Sequence, residues 1–177
     1  MHLSSMEKMA AFVATHLHET FDHRKSVLDF GSQNINGSYR SLFPEEKWIY
    51  TGLDQEIGDN VDLLVADPHS WKEVEDSSYD VLISGQALEH VEFPWLVFEE
   101  IYRVLKPMGL CCIIAPSSGP EHRYPIDCWR FYPDGMRSFC KHAGLNCLEV
   151  ATEWEPKGYG DGSEMWKDTM LIARKQI

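Results

Sequence analysis

The sequence has no C-x-x-C pair, no G-x-G-x-x-G, no surplus of basic residues and no long apolar run. Each absence excludes something. Five cysteines, an odd number, are scattered along the chain. Neither a disulfide framework nor a cysteine zinc site is expected from them, and buried, reduced thiols in a cytoplasmic protein are. The longest apolar runs are strand-sized, such as Leu110 to Pro116, against about 20 residues for a membrane-spanning helix. Glu7 and Lys8 interrupt the first ten residues, so no signal peptide is expected. Lys and Arg number 16 against 28 Asp and Glu, a net charge of −12. That disfavours nucleic acid and anionic membrane as partners, since both need basic surface. His16, His18 and His23 lack the i, i+4 spacing of a helical metal site, and no ligand cluster at a recognised spacing appears. The expected metal is therefore none.

What is present is enough for one folded domain. The chain has 177 residues, 44% of them hydrophobic and 12% aromatic. A chain of this length buries roughly 70% of its unfolded surface without disulfide support. No repeat and no composition break divides residues 1–177.

Residues 1–24 read as an N-terminal helix and cap. Ser4 and Glu7 have capping-box spacing, and Met6, Met9, Ala10, Val13 and Leu17 recur at helical intervals. Short apolar runs then follow at 26–30, 48–54, 61–67, 79–84 and 110–115. A short helical stretch is expected from Ser38 to Phe43, and a longer helix from Glu92 to Leu105. Lys106–Gly109 reads as a turn. Cys111 and Cys112 should point to opposite faces of their strand. Asp134 can cap a further helix that Gly144 ends. Strand candidates at 145–150 and 168–173 have no helix between them, so an antiparallel pair is plausible there. Strands alternating with helices imply a three-layer, doubly wound, mostly parallel α/β sheet.

Ligands bind such sheets at the carboxyl ends of the strands. Gly31 follows the first strand there, and a glycine lets backbone approach a ligand closely. Gly37 stands near the next helical start, whose N–H groups could face an anion. Asp54 ends the second strand and could accept two ribose hydroxyls; a solvated strand-end carboxylate is the plainer reading. Asp29 would repel a pyrophosphate and suits an amino group. Asp67 adds an acceptor for an adenine amine.

These residues carry a resemblance. Val27-Leu-Asp-Phe-Gly31, Gly52-Leu-Asp54 and Val65-Ala-Asp-Pro-His69 run in order with Tyr79-Asp-Val-Leu-Ile-Ser-Gly-Gln-Ala-Leu-Glu-His-Val91 and Glu100-Ile-Tyr-Arg-Val-Leu-Lys-Pro-Met-Gly-Leu110. The pattern resembles class I S-adenosylmethionine-dependent methyltransferases of the type-11 kind, over residues 26–116. The resemblance implies a seven-stranded Rossmann-like sheet whose last strand is antiparallel. It implies S-adenosylmethionine as cofactor and S-adenosylhomocysteine as product. It places Gly31, Ser32, Gln33 and Gly37 at the methionine moiety, with Asp29 beside them. Asp54 and Gln55 fall at the ribose, Asp67 and Pro68 at the adenine, and Ser84, Gly85 and Gln86 on the methionine side. Glu89 and His90 stand close to the site, His90 in a positioning or a proton-transfer role.

Two departures from the family pattern matter. The usual loop is D-x-G-x-G-x-G. Here the middle glycine is missing, and Gly37 comes two residues late. Pro68 has no N–H to donate to the adenine ring, so His69 or a water must.

The segment 116–133 reads as the substrate loop. His122, Arg123, Tyr124, Asp127, Trp129 and Arg130 crowd into it. His122 is the candidate general base. Arg123, Tyr124, Asp127, Trp129 and Arg130 are candidate substrate contacts; the plainer reading is a clamp with Arg130 paired to Asp127 and Trp129 in the core. The H-x-x-P-x-D-x-W-R-F string resembles one in relatives near polysaccharide-modification genes, hinting at a sugar-like acceptor. Residues 134–177 complete the sheet.

The expected function is methyl transfer to an oxygen or nitrogen of a small molecule or sugar-like acceptor, by a monomer or homodimer. A non-catalytic nucleoside-binding domain is the alternative, and a nicotinamide oxidoreductase is disfavoured by Asp29. Residues 45–100 hold 15 acids and 2 bases, so the overall acidity says little about the acceptor near Arg123 and Arg130.

Overall fold

A computed structural model describes residues 2–17 and 23–177. His18 lies outside the described residues. Seven strands form one sheet: β1 (Lys25–Phe30), β2 (Trp48–Asp54), β3 (Leu63–Leu64), β4 (Tyr79–Gly85), β5 (Leu105–Ala115), β6 (Leu145–Thr152) and β7 (Thr169–Lys175). Their spatial order is β3-β2-β1-β4-β5-β7-β6. Pairs from β3 through β5 are parallel, and β7 runs antiparallel to both β5 and β6. The expected sheet and its antiparallel last strand are therefore present.

The central strands are apolar on both faces because both faces are covered. On β5, Cys111, Ile113 and Ala115 join one core cluster, while Cys112 and Ile114 join the other. This is the period-two alternation of a strand, and it separates the two adjacent cysteines as expected. The first cluster lies beneath α2 (Pro94–Val104) and α3 (Pro133–Ala143). Helix α2 buries Pro94, Val97, Phe98, Ile101 and Val104 in one stripe. It begins at Pro94, whose missing N–H costs nothing in a first turn. Gly144 ends α3 at φ +82, a left-handed C-cap. Asp134 is not that helix's N-cap: Tyr132 takes the position, Pro133 follows at the first helical position, and Asp134 sits inside the first turn.

Among the described residues, the opposite face carries α1 (Leu3–His16) and a 3-10 turn over Tyr39–Leu42. Met9 and Phe12 are fully buried there, each contributing about 2 kcal/mol. The capping box at Ser4 and Glu7 does not form. The N-cap is His2, with no side-chain bond. The exposed first-turn N–H groups instead meet the far end of the chain. Leu3 N donates to Asp161 Oδ2 at 2.8 Å, and Ser4 N to Ser163 Oγ at 3.3 Å. Ser4 itself is buried, its hydroxyl donating to Asp168 Oδ2 at 2.7 Å.

Three other expectations change. The Ser38–Phe43 stretch forms only the 3-10 turn, so Gly37 precedes no α-helix whose N–H groups could face an anion. The third strand shrinks to two residues, Leu63 and Leu64, and Asp67 falls in the loop beyond it. The turn at 106–109 survives as a register jump inside β5, where Tyr79 faces Leu105 but Val81 faces Leu110. Among the described residues, no helix is long and apolar enough to cross a membrane.

Candidate functional site

A cavity of about 130 Å³ opens at the carboxyl ends of β1, β2 and β4. Its wall includes Phe30, Gly31, Gln33, Asp54, Gln55 and Pro68 on one side, and Gln86, Ala87, His90, Tyr124 and Pro125 on the other.

Backbone builds the first side. Gly31 turns at φ +76 immediately after β1, a region that penalises any Cβ. Its N–H and that of Ser32 both donate to Leu53 O, at 2.9 and 3.2 Å. A Cβ on Gly31 would stand 2.3 Å from Ala87 Cβ, so the missing side chain lets the β4 loop close over the turn. The loop is then pinned by the polar side chains of Asp54, Asn60 and Asn34. Gln33 N donates to Asp54 Oδ2 at 2.9 Å. Asn60 Nδ2 donates to Ser32 O at 2.8 Å, and Gly37 N donates to Asn34 Oδ1 at 2.7 Å. Asp54 Oδ1 accepts from Gln55 N at 2.7 Å and, more weakly, from Glu56 N at 3.4 Å. A carboxylate has about four acceptor positions, so capacity for a ribose hydroxyl remains.

Several expected cofactor contacts stand outside the cavity wall, and each has a physical reason. Asp29 is buried beneath the loop and accepts the Tyr50 hydroxyl; burial lifts its carboxyl to about 7, with the Tyr50 bond opposing. Ser32 donates to Asn60 O, and Ser84 donates to Phe30 O at 2.8 Å, tying β4 to β1. Gly85 packs against the Tyr39 hydroxyl. Asp67 turns outward and accepts from His69 N at 2.8 Å, which holds its carboxyl below the usual range.

Side chains build the second side. Gln86 adopts φ +58, an uncommon conformation for a residue with a side chain. Its N–H is held by Ile114 O, and Nε2 donates to Asp168 Oδ1 at 3.0 Å. Glu89 is fully buried, and burial lifts its carboxyl to about 8. Neither of its oxygens meets a hydrogen-bond donor among the described residues. Its backbone carbonyl accepts Cys128 N at 2.8 Å and Trp129 N at 3.3 Å, which clamps the 116–133 loop onto the Leu88–His90 turn. His90 Nδ1 lies 2.5 Å from Ile126 O; burial pulls its pKa down. His122 packs 4.9 Å from the His90 ring and 4.5 Å from Trp166.

The loop residues divide. Tyr124 reaches the cavity, and its hydroxyl donates to Gln33 Oε1 at 3.1 Å. Asp127 and Arg130 form a bidentate pair at 2.6 and 2.9 Å, and Arg130 also donates to Pro120 O. The guanidinium holds the Asp127 carboxyl well below the usual carboxylate range. These two behave as the clamp, not as cavity wall. Trp129 is 38% exposed and donates to Glu92 O, so it is neither core nor cavity. Arg123 is exposed and pairs with Glu121. Glu89 as a buried acid, Trp166 and Asp168 belong to the site surroundings without having stood out as candidates. Trp166 sits in a Gly-rich loop with no local pattern, and Asp168 reads as the start of a strand. The Leu-Glu-His string placed Glu89 close to the site but carried no sign of its burial.

Residues 34–113 match the family model described as methyltransferase domain. No curated protein matches the chain in sequence. Among solved structures, it is similar to the 1,6-didemethyltoxoflavin-N1-methyltransferase of Burkholderia thailandensis, solved with bound 1,6-didemethyltoxoflavin and S-adenosylhomocysteine. The TM-score is 0.72 at 18% identity, over 98% of this chain and 79% of that one. It is similar to a phosphoethanolamine N-methyltransferase of Haemonchus contortus solved with S-adenosyl-L-methionine, with TM-score 0.68, 15% identity and coverage of 96% and 53%. It is also similar to the [4+2]-cyclase SpnF, with TM-score 0.67, 16% identity and coverage of 97% and 81%. The chain thus has the class I S-adenosylmethionine-dependent methyltransferase fold, and its segment 34–113 matches the methyltransferase-domain family.

Proposed function

We propose that this protein binds S-adenosylmethionine in the cavity and transfers its methyl group to an oxygen or nitrogen of a small or sugar-like molecule. The observation that carries the reading is the joining, in one cavity, of the Gly31 turn, the strand-end Asp54 and the His90 side. The fit is chemical as well as spatial. Gly31 offers close backbone approach, Asp54 retains acceptor capacity for the ribose, and the buried Gln86 Oε1 has no donor among the described residues. When bound, the cofactor supplies an electrophilic methyl on a sulfonium.

The chain's own residues do the rest. Gly31, Gln33, Asp54 and Gln55 hold and orient the nucleoside and methionine ends. Ile35, Val91 and Pro125 line the wall with apolar surface, which limits water at the reacting centre. Positioning supplies much of the rate in a displacement of this kind. Acceptor activation falls to the Glu89–His90–His122 group, with Tyr124 at the cavity rim as the substrate contact. The protein acts as a monomer or homodimer in the cytoplasm.

The second reading is a nucleoside-binding domain without transfer activity. It is favoured by Gln33 and Ile35 standing where the family pattern has glycines. Titration calorimetry with S-adenosylhomocysteine is the first test. Binding in the micromolar range supports both readings, and no binding at millimolar ligand refutes both. Release of S-adenosylhomocysteine with a panel of hydroxyl and amine acceptors then separates transfer from binding alone.

A further inference from the structure

The sequence shows no metal-ligand spacing, yet the fold brings three ligand-type atoms together. Glu89 Oε1 lies 3.7 Å from His90 Nε2 and 3.9 Å from His122 Nε2. All three atoms lie within 4.8 Å of one another. Two come from one 3-10 turn and the third from the loop clamped onto it, 32 residues later.

The proton arrangement points inward. Ile126 O can only accept, so His90 carries its proton on Nδ1 and turns the Nε2 lone pair toward Glu89. His122 Nδ1 faces Asp127 Oδ2 at 3.4 Å. That carboxylate is anchored by Arg130 and also accepts His122 N at 2.7 Å. The pair does not meet hydrogen-bond geometry, but the nearby carboxylate favours the His122 proton on Nδ1, which would leave Nε2 as an acceptor. Two imidazole nitrogens then face a carboxyl group that is 0% exposed and has no hydrogen-bond partner among the described residues. A buried carboxylate without a partner is strongly unfavourable. Asp168 and Asp127 add negative charge nearby, and Arg130 is the one cation among the leading charges that act on Glu89. The three ligand-type atoms are placed so that a cation could sit at their centre.

We propose that Glu89, His90 and His122 bind one divalent transition-metal ion, with an open coordination position toward the cavity. Two imidazoles and one carboxylate suit Zn²⁺, Fe²⁺, Mn²⁺ or Ni²⁺; an all-oxygen set for Ca²⁺ or Mg²⁺ is not present. A tetrahedral ion with bonds of about 2.0–2.1 Å needs ligands about 3.3 Å apart, so the two Glu89–histidine separations close by about half an ångström, and the His90–His122 separation, within 4.8 Å, by up to about 1.5 Å. Ile126 O and the Asp127–Arg130 pair are the outer partners that fix ring orientation at such sites. His90 lines the cavity, so the open position faces the substrate side. On the methyl-transfer reading, this selects an oxygen acceptor. A hydroxyl at the ion is acidified and gives its proton to solvent. The acceptor oxygen then forms the bond to the methyl carbon as the carbon–sulfur bond breaks, and the sulfide leaves with the electron pair.

The test uses the full chain without an affinity tag, stripped with EDTA and dialysed. Calorimetric titration with Zn²⁺ and with Mn²⁺ should show one equivalent bound at micromolar or tighter affinity. The bound Co²⁺ form should show a visible absorption band. Glu89→Gln and His122→Ala should each weaken binding at least 100-fold while keeping the circular dichroism and S-adenosylhomocysteine affinity of the parent. His142→Ala, at an exposed histidine paired with Glu99, should leave metal binding unchanged. No stoichiometric binding at millimolar Zn²⁺ or Mn²⁺ overturns the site, as does equal binding by the Glu89→Gln and His122→Ala proteins. Metal binding without S-adenosylhomocysteine binding upholds the site and refutes the methyl-transfer reading; the converse upholds cofactor binding and overturns the site.

Discussion

The two sides of the cavity are built differently. The Gly31–Asp54 side is made of backbone turns and strand ends that follow one another along the chain. Its contacts are mostly N–H groups to carbonyls or to the Asp54 carboxylate. The Glu89–His90–His122 side is made of side chains that meet only because Cys128 and Trp129 dock on the Glu89 carbonyl. The first side uses its N–H groups on Leu53 O and on Asp54, and leaves acceptor capacity on Asp54. The second concentrates acceptors around a buried carboxylate. On the proposed function, a nucleoside would rest on local backbone geometry, whereas tuning an acceptor requires groups held in low dielectric by tertiary contacts.

The sharpest way to break this comparison is at the buried carboxylate. Glu89→Gln should lower turnover by roughly 10²-fold or more, measured as S-adenosylhomocysteine release with an active acceptor, with S-adenosylhomocysteine affinity unchanged. A parallel loss of affinity would show that the two sides are not separable. Asp54→Ala should do the reverse. Losing hydrogen bonds to a charged acceptor should weaken S-adenosylhomocysteine binding by about 100-fold, while metal stoichiometry stays at one. An unchanged affinity would remove Asp54 from the ribose role.

Gly31→Ala probes the seam between the sides, where the turn meets Ala87. The positive φ and the 2.3 Å approach should cost about 1–3 kcal/mol in denaturant unfolding. A stable variant would mean that the turn relaxes without the β4 loop. The smallest effect is expected beneath the first side. Asp29 has its carboxyl lifted to about 7 in the fold, chiefly by burial. A raised carboxyl pKa means that the folded state holds the proton more tightly. Its contribution is complete below the ordinary value near 4 and is lost as pH climbs through about 7. Thermal melts should fall more steeply from pH 4.5 to 8 in the parent than in Asp29→Asn; parallel curves would place Asp29's ionisation elsewhere.

Much of the first side was legible because strand-end residues inherit their place from strand order. Gly31, Gln33, Asp54, Gln55, Pro68 and Gln86 all reach the cavity wall. Asp29 and Ser84 did not follow, because a strand residue faces core or cleft according to what packs above it, and Tyr50 and the Phe30 carbonyl occupy those directions. The helix N-terminus shows the same limit. Ser4 and Glu7 have the right spacing for a capping box, but Asp161 and Ser163, about 158 residues away, supply the acceptors.

The family resemblance implied the antiparallel last strand, and the sequence by itself determined the strand positions and the strand ends where the cavity opens. Those follow from hydrophobic period and turn chemistry, which act over a few residues. Only the tertiary structure decided that Asp127 and Arg130 clamp instead of contacting the cavity, and that Glu89, His90 and His122 converge. Convergence depends on how a proline-broken loop docks, and docking is set by long-range hydrogen bonds and packing that no local spacing records.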